Sequence, residues 1–78
     1  MDCNVQITKI VKTDNGKILR IGDRIKFAID GNITIEGNIT DIDKVKIDLD
    51  DCFVDGIKAG NQSITYKSIK KDSVKFVL

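Results

Sequence analysis

Between Arg24 and Leu49 apolar and polar residues alternate with the period of two that a half-buried strand imposes. In "DRIKFAID", Ile25, Phe27 and Ile29 fall on one side, and Arg24, Lys26 and Ala28 on the other. "ITIEGNITDID" continues with Ile33, Ile35, Gly37 and Ile39 in phase, but Ile42 lies on the opposite parity. The pattern therefore slips near Thr40 or Asp41, as a β-bulge or sharp bend requires, and Gly37 removes a side chain that would obstruct the curvature. After a tight turn at Asp43-Lys44, "VKIDL" places Val45, Ile47 and Leu49 inward and Lys46 and Asp48 outward.

Upstream, "VQITKIVKT" (Val5 to Thr13) and "KILRIGD" (Lys17 to Asp23) flank Asp14-Asn15-Gly16. Asn-Gly tolerates the positive φ angles of a tight primed turn, so a leading hairpin is predicted. Asp30-Gly31-Asn32 supplies a second turn. "DDCFVDGIKAGN" is the least regular stretch: Phe53 or Val54 with Ile57 has helical spacing, Asp50 or Asp51 can cap a start, and Gly60 can end it. One short turn or ordered loop is predicted there. "SITYKSI" and "SVKFVL" read as two closing strands, with Ile64 and Tyr66, then Val74, Phe76 and Leu78, facing inward across the connection "KKD".

These elements describe one all-β domain over residues 1–78, a leading hairpin (1–23) followed by a small SH3-like barrel of about five strands (24–78). Closure leaves few sheet edges, which an isoleucine-rich chain needs to avoid pairing with itself. An OB-like barrel is the alternative and normally takes a longer chain.

Composition narrows the function. A 78-residue chain forms one small domain that buries roughly 60–65% of its unfolded surface. No apolar run exceeds three residues, which gives neither a signal-peptide core nor a transmembrane segment, so a cytoplasmic protein without a membrane partner is expected. Cys3 and Cys52 lack CxxC spacing and the chain has no histidine, so both are read as reduced thiols and no metal or cofactor is expected. Five aspartates crowd Asp41 to Asp51, but a calcium loop beginning at Asp51 meets Phe53 and Gln62 where oxygen ligands belong. Without histidine, a thiol partner or a phosphate-cradling glycine loop, the chain is read as non-enzymatic.

The formal charge of +1 is unevenly spread: +3 over residues 1–29, −6 over 30–55 and +4 over 56–78. Such a chain can present a dipolar surface that orients a partner. A binding or accessory module with a protein partner of unspecified identity is the leading reading. Nucleic-acid binding is the alternative, with Arg24, Lys26, Tyr66, Lys67, Lys70 and Lys71 as candidate contacts: cations for phosphate and one ring for stacking. The same lysines also serve solubility and discourage edge pairing.

From Ile25 to Ser68, a strand, "DGN", a second strand carrying "EG" and ending in "DID", then "VKIDL" and "YKSI", are similar to the Sm-like branch of the SH3-like barrels, which includes a bacterial RNA chaperone. Ser68 stands where that family has histidine, and a hairpin stands where it has an amino-terminal helix. The resemblance implies ring assembly by strand pairing and RNA contacts near Asp43 and Tyr66-Lys67. The chain also resembles small bacterial proteins of mobile genetic elements, a likeness that implies no activity.

Overall fold

The computed structural model describes residues 9–77. Seven strands run in chain order: β1 (Ile10–Lys12), β2 (Ile18–Arg20), β3 (Arg24–Ile29), β4 (Ile33–Ile42), β5 (Lys46–Val54), β6 (Ile57–Thr65) and β7 (Lys75–Phe76). A 3-10 turn over Tyr66–Ser68 leaves β6. Strands β1 and β2 form their own antiparallel pair, and the other five form one antiparallel sheet in the order β6-β5-β4-β3-β7. The expected all-β class holds. No ladder joins β6 to β7 among the described residues, so this sheet is open along both edges and the expected closure into a barrel is not seen. The predicted start of the leading strand, Cys3 and Leu78 lie outside the described residues.

The hairpin forms where the sequence places it, but its turn differs. The Gly16 amide donates to the Thr13 carbonyl at 3.0 Å, and the Thr13 amide to the Lys17 carbonyl at 2.8 Å. Asn15 keeps a negative φ and only Gly16, at φ 86°, enters the left-handed region. Asp14 and Asn15 therefore occupy the centre of an ordinary turn followed by a glycine bulge, in place of the expected primed turn. The Thr13 hydroxyl bonds Asn15 Oδ1 at 2.6 Å and accepts from the Lys17 amide at 3.0 Å, which favours the wider loop.

Alternation places the core. Ile25, Phe27, Ile35, Ile39, Ile42, Ile47, Leu49, Cys52 and Ile64 are buried together with Leu19 and Val74. Each large aliphatic member stabilises the fold by about 1.5–3 kcal/mol through burial. The slip in β4 is real: Ile39 pairs with Leu49 and Asp41 with Asp48, so Thr40 is the extra residue that returns Ile42 to the core side. Val45 is the exception in its strand. It sits in the β4–β5 turn before the ladder begins and is 64% exposed, contrary to the expected inward position.

The stretch read as a loop or turn is itself a hairpin. Val54 pairs with Ile57 across Asp55 and Gly56, whose φ values of 51° and 81° make a two-residue primed turn. Its β5 arm contains a bulge at Asp51, which has φ 48°, and between Leu49 and Cys52 the strand gains a residue on both neighbours. Cys52, not Asp51, thus follows Leu49 into the core. Gly37 lies beneath this bulge: a Cβ there would stand 2.7 Å from Cys52 Sγ and 3.1 Å from the Asp50 carbonyl oxygen.

The chain end runs along β3 in two pieces. Ile69 bridges Ile29, and Lys75 and Phe76 pair with Lys26 and Ile25. Between them residues 70–73 loop outward, and the Ser73 side chain replaces the missing ladder: its Oγ accepts from the Ala28 amide at 3.2 Å and donates to the Lys70 carbonyl at 2.6 Å. Tyr66 belongs to the 3-10 turn, not to a strand, and is half-buried against the core. Phe76 is 44% exposed where an inward position was expected, because β7 is an edge strand with nothing beyond it.

Candidate functional site

Two depressions flank the outward loop of residues 70–73. The first is a crevice of about 330 Å³ between the β1–β2 hairpin and the sheet. Its floor is apolar, with Val11 and Leu19 from the hairpin, Ile25 and Ile47 from the sheet, and Ile69 and Val74 from the chain end; Lys12, Lys70 and Lys71 stand at its rim with Asp14 and Asp72. The hairpin is held over the sheet at its base, where the Gly22 amide donates to the Ile39 carbonyl and the Ile39 amide to the Asp23 carbonyl, each at 2.8 Å. Lys17 Nζ adds a bond to the Val74 carbonyl. Leu19 is the hairpin's buried anchor.

The second depression is a groove of about 480 Å³ on the outer face of β3, bordered by Lys26, Lys70, Lys71 and Lys75 with Thr34, Asp72 and Ser73, and lined between them by Phe27 and Ala28. The structure thus brings three of the candidate cations, Lys26, Lys70 and Lys71, into one groove and adds Lys75, which sequence reasoning missed. Finding Lys75 requires knowing that β7 pairs with β3, and nothing local to "SVKFVL" announces that partner. Tyr66 lines the crevice with Lys70 and Lys71 and not the groove. Its hydroxyl donates to the Asp43 carbonyl at 2.9 Å, and burial pushes its phenol up. Asp43 and Tyr66 are therefore adjacent. Lys67 is exposed on the 3-10 turn and borders neither depression.

Arg24 stands apart from the other candidates. Its Nε and Nη2 both reach Glu36 Oε2 at 2.8 Å, Nη1 reaches Asn38 Oδ1 at 3.1 Å, and Nη2 reaches the Asp51 carbonyl at 3.3 Å. The guanidinium also lies 5.9 Å from the centre of the Phe53 ring. Its donors are committed to holding the Asp51 bulge against β3 and β4, which leaves little for a ligand.

The aspartates are dispersed in the same way. Asp41 accepts from Lys9 Nζ at 3.1 Å, and that bond holds its carboxyl below the ordinary value. Asp43 Oδ1 accepts from the Val45 amide at 3.0 Å, and Asp48 Oδ1 from the Ser63 hydroxyl at 2.6 Å. Among the described residues no three carboxylates or thiols converge as a metal would need. Cys52 is sealed in the core, and burial pushes its thiol up. No helix of the described residues is long and apolar enough to cross a membrane. A comparison of the chain with protein-family models, curated proteins and solved structures finds no match.

Proposed function

We propose that this is a non-enzymatic, cytoplasmic binding module of the SH3-like barrel type, and that it takes a protein segment in the crevice between its leading hairpin and its sheet. The strand order β6-β5-β4-β3-β7, the bulged β4 and the 3-10 turn before the last strand support the barrel type. The observation that carries the function is the crevice itself: an apolar floor of Val11, Ile69 and Val74 opens beside polar rim residues, the combination that binds an extended or helical segment. A non-enzymatic role is supported by the chain's lack of histidine and by the burial of Cys52, which pushes its thiol up and away from the reactive thiolate.

The reading is tested by selecting binders from a random peptide library and mapping them by amide chemical shifts. Selected peptides are expected to perturb Val11, Ile69 and Val74 and to be lost in Val11→Glu; perturbations confined to the β4–β6 face would overturn it. Nucleic-acid binding is the second reading, favoured by the grouping of Lys26, Lys70, Lys71 and Lys75. It requires an electrophoretic shift that weakens steeply between about 50 and about 200 mM salt. Absence of any shift at the lower concentration removes it.

A further inference from the structure

We infer that the segment taken by the crevice is acidic, and that its carboxylates are held in the adjoining groove by Lys26, Lys70, Lys71 and Lys75. This rests on the crevice reading and adds the chemistry of the occupant. In the β3–β7 ladder Lys26 stands directly opposite Lys75. Opposed side chains of an antiparallel pair lie about 4.5–5.5 Å apart at Cβ, close enough for like charges to repel. Glu36 faces Lys26 from the other side, but its carboxylate is turned to Arg24. Among the described residues no carboxylate lies within ion-pair distance of Lys26, Lys71 or Lys75, and Lys70 Nζ bonds a neutral acceptor, Asn32 Oδ1.

Four ammonium groups with only Asp72 among them therefore share one groove. Their frame is fixed. The Lys70 amide donates to the Ala28 carbonyl at 2.8 Å, and Ser73 Oγ closes the loop on Ala28. Nothing in strand geometry calls for a lysine opposite a lysine, and a bound anion turns that repulsion into attraction.

Carboxylates fit better than phosphodiesters because groove and crevice share Lys70, Lys71 and Asp72. An extended segment crossing this loop lays an apolar side chain on Val11, Ile69 and Val74 while its acidic neighbours reach the lysines. A nucleic acid brings no aliphatic group for that floor and asks for stacking rings. Here Phe27 is buried, Phe53 lies under Arg24, Phe76 is paired with Ile25 on the face opposite to the Lys26–Lys75 pair, and Tyr66, the one ring lining the crevice, is half-buried with its hydroxyl tied to the Asp43 carbonyl.

The test measures fluorescence anisotropy of three labelled probes with the whole protein: a short synthetic glutamate–leucine peptide, the same peptide with serine for glutamate, and an oligouridine. The glutamate peptide is expected to bind several-fold more tightly than the serine peptide and to weaken between about 50 and about 200 mM salt. The double substitution Lys26→Gln with Lys75→Gln is expected to weaken only the glutamate peptide, several-fold and toward the affinity of the serine peptide, and to flatten its salt dependence. Equal binding of both peptides, unmoved by the double substitution but abolished by Val11→Glu, overturns the acidic occupant and leaves the crevice reading standing. Peptide binding indifferent to Val11→Glu overturns the crevice reading as well. Oligouridine binding more tightly than the glutamate peptide, and lost with the two lysines, also overturns the inference by giving the groove to nucleic acid.

Discussion

Arg24 and Lys26 project from the same face of β3, and their surroundings could hardly differ more. Arg24 reaches toward the acidic β4–β5 region, where Glu36, Asn38 and Asp51 receive its donors. Lys26 borders the β7 edge, where its in-register neighbour is another lysine. In the acidic region Asp41, Asp43, Asp48 and Asp51 each have a partner inside the chain, and three of these aspartates themselves lie on irregular backbone, Asp41 beside the β4 bulge, Asp43 in the β4–β5 turn and Asp51 in the β5 bulge. There charge is used to hold irregular backbone. Along β7 the backbone is held by a serine hydroxyl and main-chain bonds, and among the described residues no carboxylate pairs with Lys26 or Lys75. Net charge alone conceals this, because a formal +1 treats both regions as halves of a balance.

The comparison breaks most severely at Gly37, on which the acidic bulge is built. Gly37→Val is expected to cost about 3 kcal/mol, since a close-packed site yields little to an added side chain. Its Cβ alone would press on Cys52 Sγ, the Asp50 carbonyl and Leu49 Cβ. Urea denaturation measures the loss; an unchanged midpoint means the bulge can move aside. Arg24→Gln should cost roughly 1–3 kcal/mol, because it leaves Glu36 without its charged donor. Arg24→Lys should recover little, as a single ammonium cannot span Glu36, Asn38 and Asp51. If Arg24→Gln proves as harmless as Lys26→Gln, the contrast between the two residues is lost.

On the basic side the expected sign reverses. Lys75→Gln relieves the pair with Lys26 and should stabilise the protein by about 0.2–1 kcal/mol, more at low salt than at high. Differential scanning calorimetry at two ionic strengths reads this directly, and destabilisation would mean that Lys75 has an internal partner. The smallest effect concerns Asp41. Its folded pKa lies below the ordinary value of 3.8, first because of the bond from Lys9. A lowered carboxylate stabilises the fold above its unfolded pKa, and that contribution disappears as the pH falls through the folded value. Acid titration of the melting temperature should therefore be slightly shallower for Lys9→Gln than for the parent chain below about pH 4.

Much of the fold was legible because alternation survives wherever the ladder is regular. Ile25, Phe27, Ile35, Ile47 and Leu49 are core for the reason their spacing gives, and the broken parity after Ile39 placed the slip near Thr40 or Asp41, where the ladder leaves Thr40 as the extra residue. The β5–β6 hairpin was hidden by its own irregularity. Asp51 in the left-handed region shifts Cys52 inward, and a second irregularity on β6 leaves Gly60 opposite Cys52 and Lys58 opposite Phe53. Period two dissolves just where the Asp55-Gly56 turn should have announced a hairpin. The groove was half-legible: a run containing Lys70 and Lys71 is visible locally, whereas the meeting of Lys26 with Lys75 depends on a pairing set by the whole sheet.

That pairing also bears on the order in which the chain assembles. Lys26 and Lys75 are about fifty residues apart, whereas the β5–β6 hairpin closes through two residues. Long loops close late because their entropy must be met before any contact rewards it. The β3–β7 ladder is thus expected to form after the folding barrier has been crossed, and the repulsion it carries then acts on escape from the native state. Relieving it with Lys75→Gln should leave the folding limb of the chevron almost unchanged and slow the unfolding limb. A ligand bridging the two lysines would do the same, lengthening the lifetime of the folded protein without hastening its birth.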